Sequence, residues 1–213
     1  MPTVTLIRHG ESEANAGLPT LTPGCIPLTQ LGQQQAQDFA STIAEPPSLI
    51  VVSPYIRTHL TAAPLRARHP VVPVEEWPVH EFTYLNPIHY SGTTETQRGT
   101  FAQSYWTRCD PAWNDGGGAE SFTDLITRID HLEARLSERS EKNILVFTHG
   151  YFIKALLLRR ERPQAPIDAA LMAAFRDGRK NDHLPNTGVV RLPRKVAHLR
   201  RNSGPSLTPS HPA

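Results

Sequence analysis

No proline falls between Pro111 and Pro163, although the chain contains 20 of them. Proline removes a backbone donor and clashes with the preceding helical turn, so this stretch is where long regular structure can run uninterrupted. Its pattern agrees. After Gly116 to Ser121 (GGGAES), the residues Phe122, Leu125, Ile126, Ile129, Leu132 and Leu136 fall on one helical face opposite charged residues. That spacing predicts an amphipathic helix of about five turns. Asn143 to Phe147 (NILVF) then reads as a short buried strand, Thr148-His149-Gly150 as a tight turn, and YFIKALLLRR as a second helix.

The amino-terminal half repeats this grammar. Val4 to Ile7 is a β-rich run ending at Arg8-His9-Gly10, and Leu31, Ala36, Phe39, Ala40 and Ile43 mark a helix. Leu49 to Val52 is another buried strand, after which Ser53-Pro54 supplies a cap and a first-turn proline for a helix starting at Tyr55. Pro64 is expected to end or kink that helix, Val71 to Val74 is a weaker strand, and Thr187 to Leu192 is the last one.

Strands alternating with helices imply a three-layer α/β/α sandwich with a mainly parallel sheet. One domain is expected over residues 1–201. It carries a cap or lid at about 73–118, because Pro73 to Gly99 has scattered aromatics and no clear period. Residues 202–213 (NSGPSLTPSHPA) read as a disordered tail. Trp77, Phe82, Tyr84, Tyr90, Phe101, Tyr105 and Trp106 are expected to pack core and cap, and the glycine triplet at 116–118 to act as a hinge rather than a nucleotide loop.

Composition narrows the function class. No apolar run approaches a membrane span and the first residues carry no secretion leader, so a cytoplasmic protein is expected, with no membrane partner. Two cysteines, Cys25 and Cys109, are too few for a disulfide framework or a zinc site. Net charge is +2, and the five basic residues from Arg191 to Arg201 lie in a stretch with no Asp or Glu. Spread out and without aromatic interleaving, they read as a solvated end, and no nucleic-acid partner is expected.

Ligands of parallel sheets sit beyond the carboxyl ends of the strands. That rule gathers Arg8 and His9, Ser53 to Arg57, and His149 into one crevice. Arginine forks match phosphate oxygens, and fixed positive donors stabilise the charge that spreads over them during transfer. Arg57, in the first turn of a helix, is electrostatically misplaced unless an anion is present. A neutral imidazole is a competent nucleophile, so His9 could carry a phosphoryl group before handing it to water. A carboxyl group must then protonate the leaving alkoxide. Glu81, in the apolar and aromatic WPVHEFTYL, competes for that role with Glu11 and Glu13. The histidines other than His9 and His149 show no metal-ligand spacing, and neither metal nor organic cofactor is expected.

Leu6-Ile7-Arg8-His9-Gly10-Glu11-Ser12-Glu13-Ala14-Asn15 resembles the opening signature of the histidine phosphatase superfamily, the phosphoglycerate mutase-like group. Pro27-Leu28-Thr29-Gln30-Leu31-Gly32, running to Gln35-Ala36, is similar to the family's PLT-x-x-G-x-x-QA segment, and Ser53 to Ala62 to its SP-x-x-R-x-x-x-TA segment. Glu120-Ser121 resembles the pair that opens a family helix, Thr148-His149-Gly150 the second histidine motif, and Asn186-Thr187-Gly188 the lead into a late strand. The segments come in family order over about residues 3–192.

The resemblance implies His9 as nucleophile, Arg8, Arg57, His149 and Gly150 as the phosphate clamp, Asn15 as a further phosphate contact, and Glu81 as proton donor. It implies a phosphatase acting on a small phosphorylated substrate, with a cofactor-dependent phosphoglycerate mutase and an inactive phosphate-binding module as alternatives. Two departures stand out. Gly24-Cys25-Ile26-Pro27 replaces the acidic approach to PLT, and Phe82-Thr83-Tyr84-Leu85 follows Glu81 where the family's mutases have an RHYG-like stretch. The second departure weakens the mutase reading.

Overall fold

The computed structural model describes residues 2–181 and 184–194. Five strands form one sheet in the order β3-β2-β4-β1-β5, made of β1 (Thr3–Arg8), β2 (Leu49–Val52), β3 (Val74–Glu76), β4 (Asn143–Thr148) and β5 (Val189–Pro193). All neighbours pair in parallel except β5, which runs antiparallel to β1 at the sheet edge. The mainly parallel sheet read from the sequence is therefore the one observed.

Strand alternation sorts the core into two layers. Ile7, Ile50, Val52, Leu145 and Phe147 meet Phe39 and Ala40 of α1 (Gln30–Thr42) and Ala62 and Leu65 of α2 (Ile56–Arg68) on one face. Val4, Leu6, Leu49, Val51, Ile144 and Val146 face the other way. There they pack with α4 (Phe122–Glu138), α5 (Gly150–Glu161) and α6 (Ala169–Asn181). The six apolar residues spaced along α4 are all buried, and its start is locked by Ser121 and Asp124, each side chain accepting the other's backbone N–H. The cap carries one further helix, α3 (Gly99–Arg108), whose Tyr105 and Trp106 join the α4 side of the core.

Several expectations needed correcting. The second helix starts at Ile56, because the Ser53 hydroxyl accepts the Tyr55 N–H and the chain stays extended at Tyr55. It runs through Pro64 to Arg68, the lost ladder bond being offset by burial of Thr61, Ala62 and Leu65. The weak strand lies at Val74–Glu76 because Val72 N–H turns back to His69 O, and β5 begins only after Thr187, which is left-handed at φ 55°. Phe101 is 45% exposed, stacked on His89 rather than packed in the cap. The glycine triplet forms a turn, all three residues at positive φ, and a side chain at Gly117 would collide with Asn86. The tail at 202–213 and most of the basic stretch lie outside the described residues.

The loop after β1 is held by the start of α1. Gly10 and Gly32 allow that approach: a Cβ on Gly10 would lie 2.5 Å from Gly32 O, and one on Gly32 would lie 2.0 Å from Glu11 O. Thr29 N–H reaches Glu11 O at 3.0 Å, and Gln35 Oε1 accepts the Glu11 N–H at 2.8 Å. Gly32→Ala should therefore cost about 1–3 kcal/mol through backbone displacement, seen as a lower urea midpoint in equilibrium unfolding. An unchanged midpoint would mean that the two segments separate freely.

Candidate active site

Parallel pairing of β1 with β4 aligns Arg8 with Thr148, so the next residue of each strand emerges at the same sheet edge. His9 N–H donates to Thr148 O at 3.0 Å, and the rings of His9 and His149 stand 5.1 Å apart. Neighbouring β2 is followed by Ser53, whose hydroxyl lies 2.8 Å from His149 Nε2. The first turn of α2 brings in Arg57, whose Nη1 donates to Pro23 O at 2.7 Å. All of these residues are buried, with exposures of 8% for Arg8, 3% for His9, 5% for Arg57 and 0% for His149.

A cavity of about 300 Å³ opens over this layer, with Arg8, His9, Asn15, Arg57, Glu81 and Gly150 in its wall. His149 lies beneath, outside the lining. Gly150 opens α5, and a Cβ there would sit 3.6 Å from Arg8 Nε and 4.0 Å from Glu81 Oε2, so the arginine and the carboxylate converge on it. Glu81 is half-buried, and its Oε1 accepts the N–H groups of Phe82 at 2.9 Å and Tyr151 at 3.1 Å. Asn15 Oδ1 accepts from Ser12 and from Asn186 Nδ2, and the same Asn186 amide also reaches His9 O. Of the competing carboxylates, Glu11 is engaged by the Thr29 hydroxyl at 2.8 Å, and neither Glu11 nor Glu13 lines the cavity.

Electrostatics follow from burial. Loss of water, then the Arg57 guanidinium, hold the His9 imidazole well below its usual range, although its bond to Gly10 O opposes this. Burial followed by Arg57 and His9 does the same to His149. Both rings are thus neutral near pH 7. Because a carbonyl only accepts, the 2.7 Å contact between His9 Nδ1 and Gly10 O puts the proton on Nδ1 and leaves the Nε2 lone pair free to react. Burial brings Arg57 down to about 10 and lowers Arg8, with Glu81 opposing in both, so both arginines stay charged. The cavity wall holds four cationic side chains, Arg8, Arg57, Arg98 and Lys154, against two carboxylates, Glu81 and Glu95, a balance that favours an anionic guest.

The supports differ in how far the sequence marked them. Thr61, the threonine of the SP-x-x-R-x-x-x-TA segment, accepts the Gly10 N–H at 3.0 Å through Oγ1 and donates to Arg57 O, which ties the loop after β1 to the arginine helix. Overhead, Thr20 pairs with Ser91 and Thr93, and Arg98 Nη1 donates to Thr93 O at 2.7 Å and to both threonine hydroxyls. Arg98, Glu95 and Tyr90 from this roof face the cavity, as does Lys154 of α5. His80 and His89 do not line it. Among the described residues no three His, Cys, Asp or Glu side chains are grouped to hold a metal ion, and no helix is long and apolar enough to cross a membrane.

Fold and cavity together define an α/β protein with a cation-rich cavity at the carboxyl edge of a mainly parallel sheet, with His9 buried in its wall. The chain belongs to the histidine phosphatase superfamily (branch 1), whose family model matches residues 4–174. No curated protein sequence matches it significantly. Among solved structures it is similar to a mycobacterial glucosyl-3-phosphoglycerate phosphatase complexed with VO3, at 25% identity, 91% of each chain and a TM-score of 0.65. A putative alpha-ribazole-5'-P phosphatase from Escherichia coli shares 26% identity over 80% of this chain and 83% of that one, with a TM-score of 0.64. Phosphoserine phosphatase from Entamoeba histolytica, complexed with phosphoserine, shares the fold at 23% identity over 90% of each chain, with a TM-score of 0.67.

The buried imidazoles make the fold acid-sensitive. Their folded values lie below the unfolded value of about 6.5, so on acidification the unfolded chain takes up protons first. Stability is full above about pH 6.5 and falls below it, by up to about 1.4 kcal/mol per pH unit for each histidine. His149→Gln should flatten this slope by one histidine's share in urea unfolding between roughly pH 7 and pH 5. An unchanged slope would show that His149 is not held neutral.

Proposed function

We propose that the protein is a phosphatase that hydrolyses small phosphate monoesters through a phosphohistidine on His9. The observation that carries this reading is the His9 Nδ1 contact to Gly10 O at 2.7 Å, which presents Nε2 unprotonated in a cavity walled by Arg8 and Arg57. In the first step Nε2 forms a bond to phosphorus while the ester P–O bond breaks. The Glu81 carboxyl gives its proton to the departing alkoxide. In the second step the Glu81 carboxylate takes a proton from water, the water oxygen bonds to phosphorus, and the N–P bond breaks to release phosphate and restore His9.

Arg8 and Arg57 stabilise the charge on the phosphoryl oxygens, with His149 beneath and the α5 amino terminus at Gly150 adding their dipoles. Asn15 completes the phosphate contacts. These groups supply the positive field without calling on a metal ion. The cavity of about 300 Å³ suits a small phosphorylated substrate. The names of the similar solved structures, all phosphatases, favour hydrolysis over the mutase alternative. So does the segment after Glu81, where Tyr84 and Leu85 are buried in the cap core instead of facing the cavity.

Hydrolysis of p-nitrophenyl phosphate in excess chelator should persist in the natural chain and fall to background in His9→Ala. Acid-labile phosphoryl label should be trapped on the natural chain alone. Arg57→Ala should lower kcat/KM by about 100-fold through lost charge stabilisation. Turnover that survives in His9→Ala, or that chelation removes, would overturn the mechanism.

A further inference from the structure

Glu81 sits on a stretch, residues 77–86, that belongs to no helix or strand, yet a proton donor has to be held to within a fraction of an ångström. The carbonyls around it show what holds it. Arg128 Nη1, from the middle of α4, donates to Pro78 O at 2.8 Å and His80 O at 3.1 Å. Glu120 N–H donates to Thr83 O at 2.8 Å. The Glu120 and Arg128 side chains close the arrangement on each other, Nε to Oε1 and Nη2 to Oε2, the latter at 2.7 Å, with each side chain about nine-tenths buried. The same guanidinium lies over the Phe152 ring, 5.2 Å from its centroid, and Phe152 follows the Tyr151 whose N–H holds the Glu81 carboxylate.

We propose that Glu120 and Arg128 are positioning residues, a buried clamp that fixes the Glu81 carboxyl against the cavity; the proposal rests on Glu81 being the proton donor. A buried ion pair is a poor means of merely holding α4 in place, because desolvation offsets most of its attraction. Burial pushes the Glu120 carboxyl up from its ordinary value despite the opposing hydrogen bond and charge of Arg128. Six apolar residues and a capping box already secure this helix. What the pair adds is donor geometry. One planar guanidinium grips a carboxylate with two nitrogens and two main-chain carbonyls with the third, which a lysine cannot reproduce. The ES pair at Glu120-Ser121 thereby gains a function: Ser121 starts the helix, and Glu120 aims the guanidinium one face further along.

The test compares Arg128→Lys, Glu81→Gln and the double variant on phenyl phosphate, which needs a proton for its basic leaving group, and on 2,4-dinitrophenyl phosphate, which does not. Arg128→Lys should lower kcat/KM for phenyl phosphate by about 30-fold and leave kcat/KM for the dinitrophenyl ester within about twofold, because this ratio reads transfer to His9 and not the later attack of water, in which Glu81 serves both esters as base. The double variant should be no worse than Glu81→Gln, because both changes remove the same proton transfer. If Arg128→Lys does not fold, as judged by thermal unfolding, Glu120→Gln of equal size carries the comparison. Equal losses in kcat/KM on both esters, or multiplying losses in the double variant, would overturn the clamp. A steep effect of Glu81→Gln beside a flat one of Arg128→Lys would overturn the clamp only. A flat Glu81→Gln would overturn the role of Glu81 and the clamp with it.

Discussion

The pairing of β1 with β4 forces Arg8, His9 and His149 into one buried layer, and the rest of the structure works to make that layer tolerable. Water is excluded from it, so the two guanidiniums lose hydration that one half-buried carboxylate cannot replace. The imidazoles respond by staying neutral and the arginines by drawing on main-chain carbonyls, Arg57 on Pro23 and Arg8 on Leu184 at 2.6 Å. For the phosphatase proposed above, a site assembled in this way would receive a phosphoryl dianion without having to reorganise.

The supporting shell is built from small contacts between segments distant in the chain. Gly10 against Gly32, Thr61 against Gly10, and Ser53 against His149 each join two segments at the cavity end of the sheet. None of them is a large hydrophobic contact. They fix direction rather than contribute bulk stability, which comes from the two apolar layers on either side of the sheet.

Periodicity made the sheet and its main helices legible, since β2 and β4 carry apolar runs, β1 is rich in β-forming residues, and α4 keeps its apolar stripe for its whole length. The helix α3 was not legible, because its two buried aromatics, Tyr105 and Trp106, are adjacent instead of a turn apart. The helix α6 does carry a usable signal in Leu171, Met172 and Phe175. Of the candidate site, the residues at strand ends were legible from topology, and Arg8, His9 and Arg57 line the cavity while Ser53 and His149 lie outside its lining. The apolar and aromatic setting of Glu81 favoured it only slightly over Glu11 and Glu13, and the family resemblance set it clearly ahead. Its cradle is made of main-chain donors and a guanidinium from α4, which leave no local pattern around residue 81.

The roof of the cavity is sewn from two loops, one around Thr20 and one around Ser91 to Arg98, by main-chain pairing and a single arginine. The floor comes from strand ends and helix starts. Floor and roof thus reside on separable stretches of chain. On the proposed phosphatase reading, exchanging the two roof loops as a matched pair would change which alcohol is accommodated and leave the groups around phosphorus in place, so such a scaffold could be retargeted by splicing, without redesigning its chemistry.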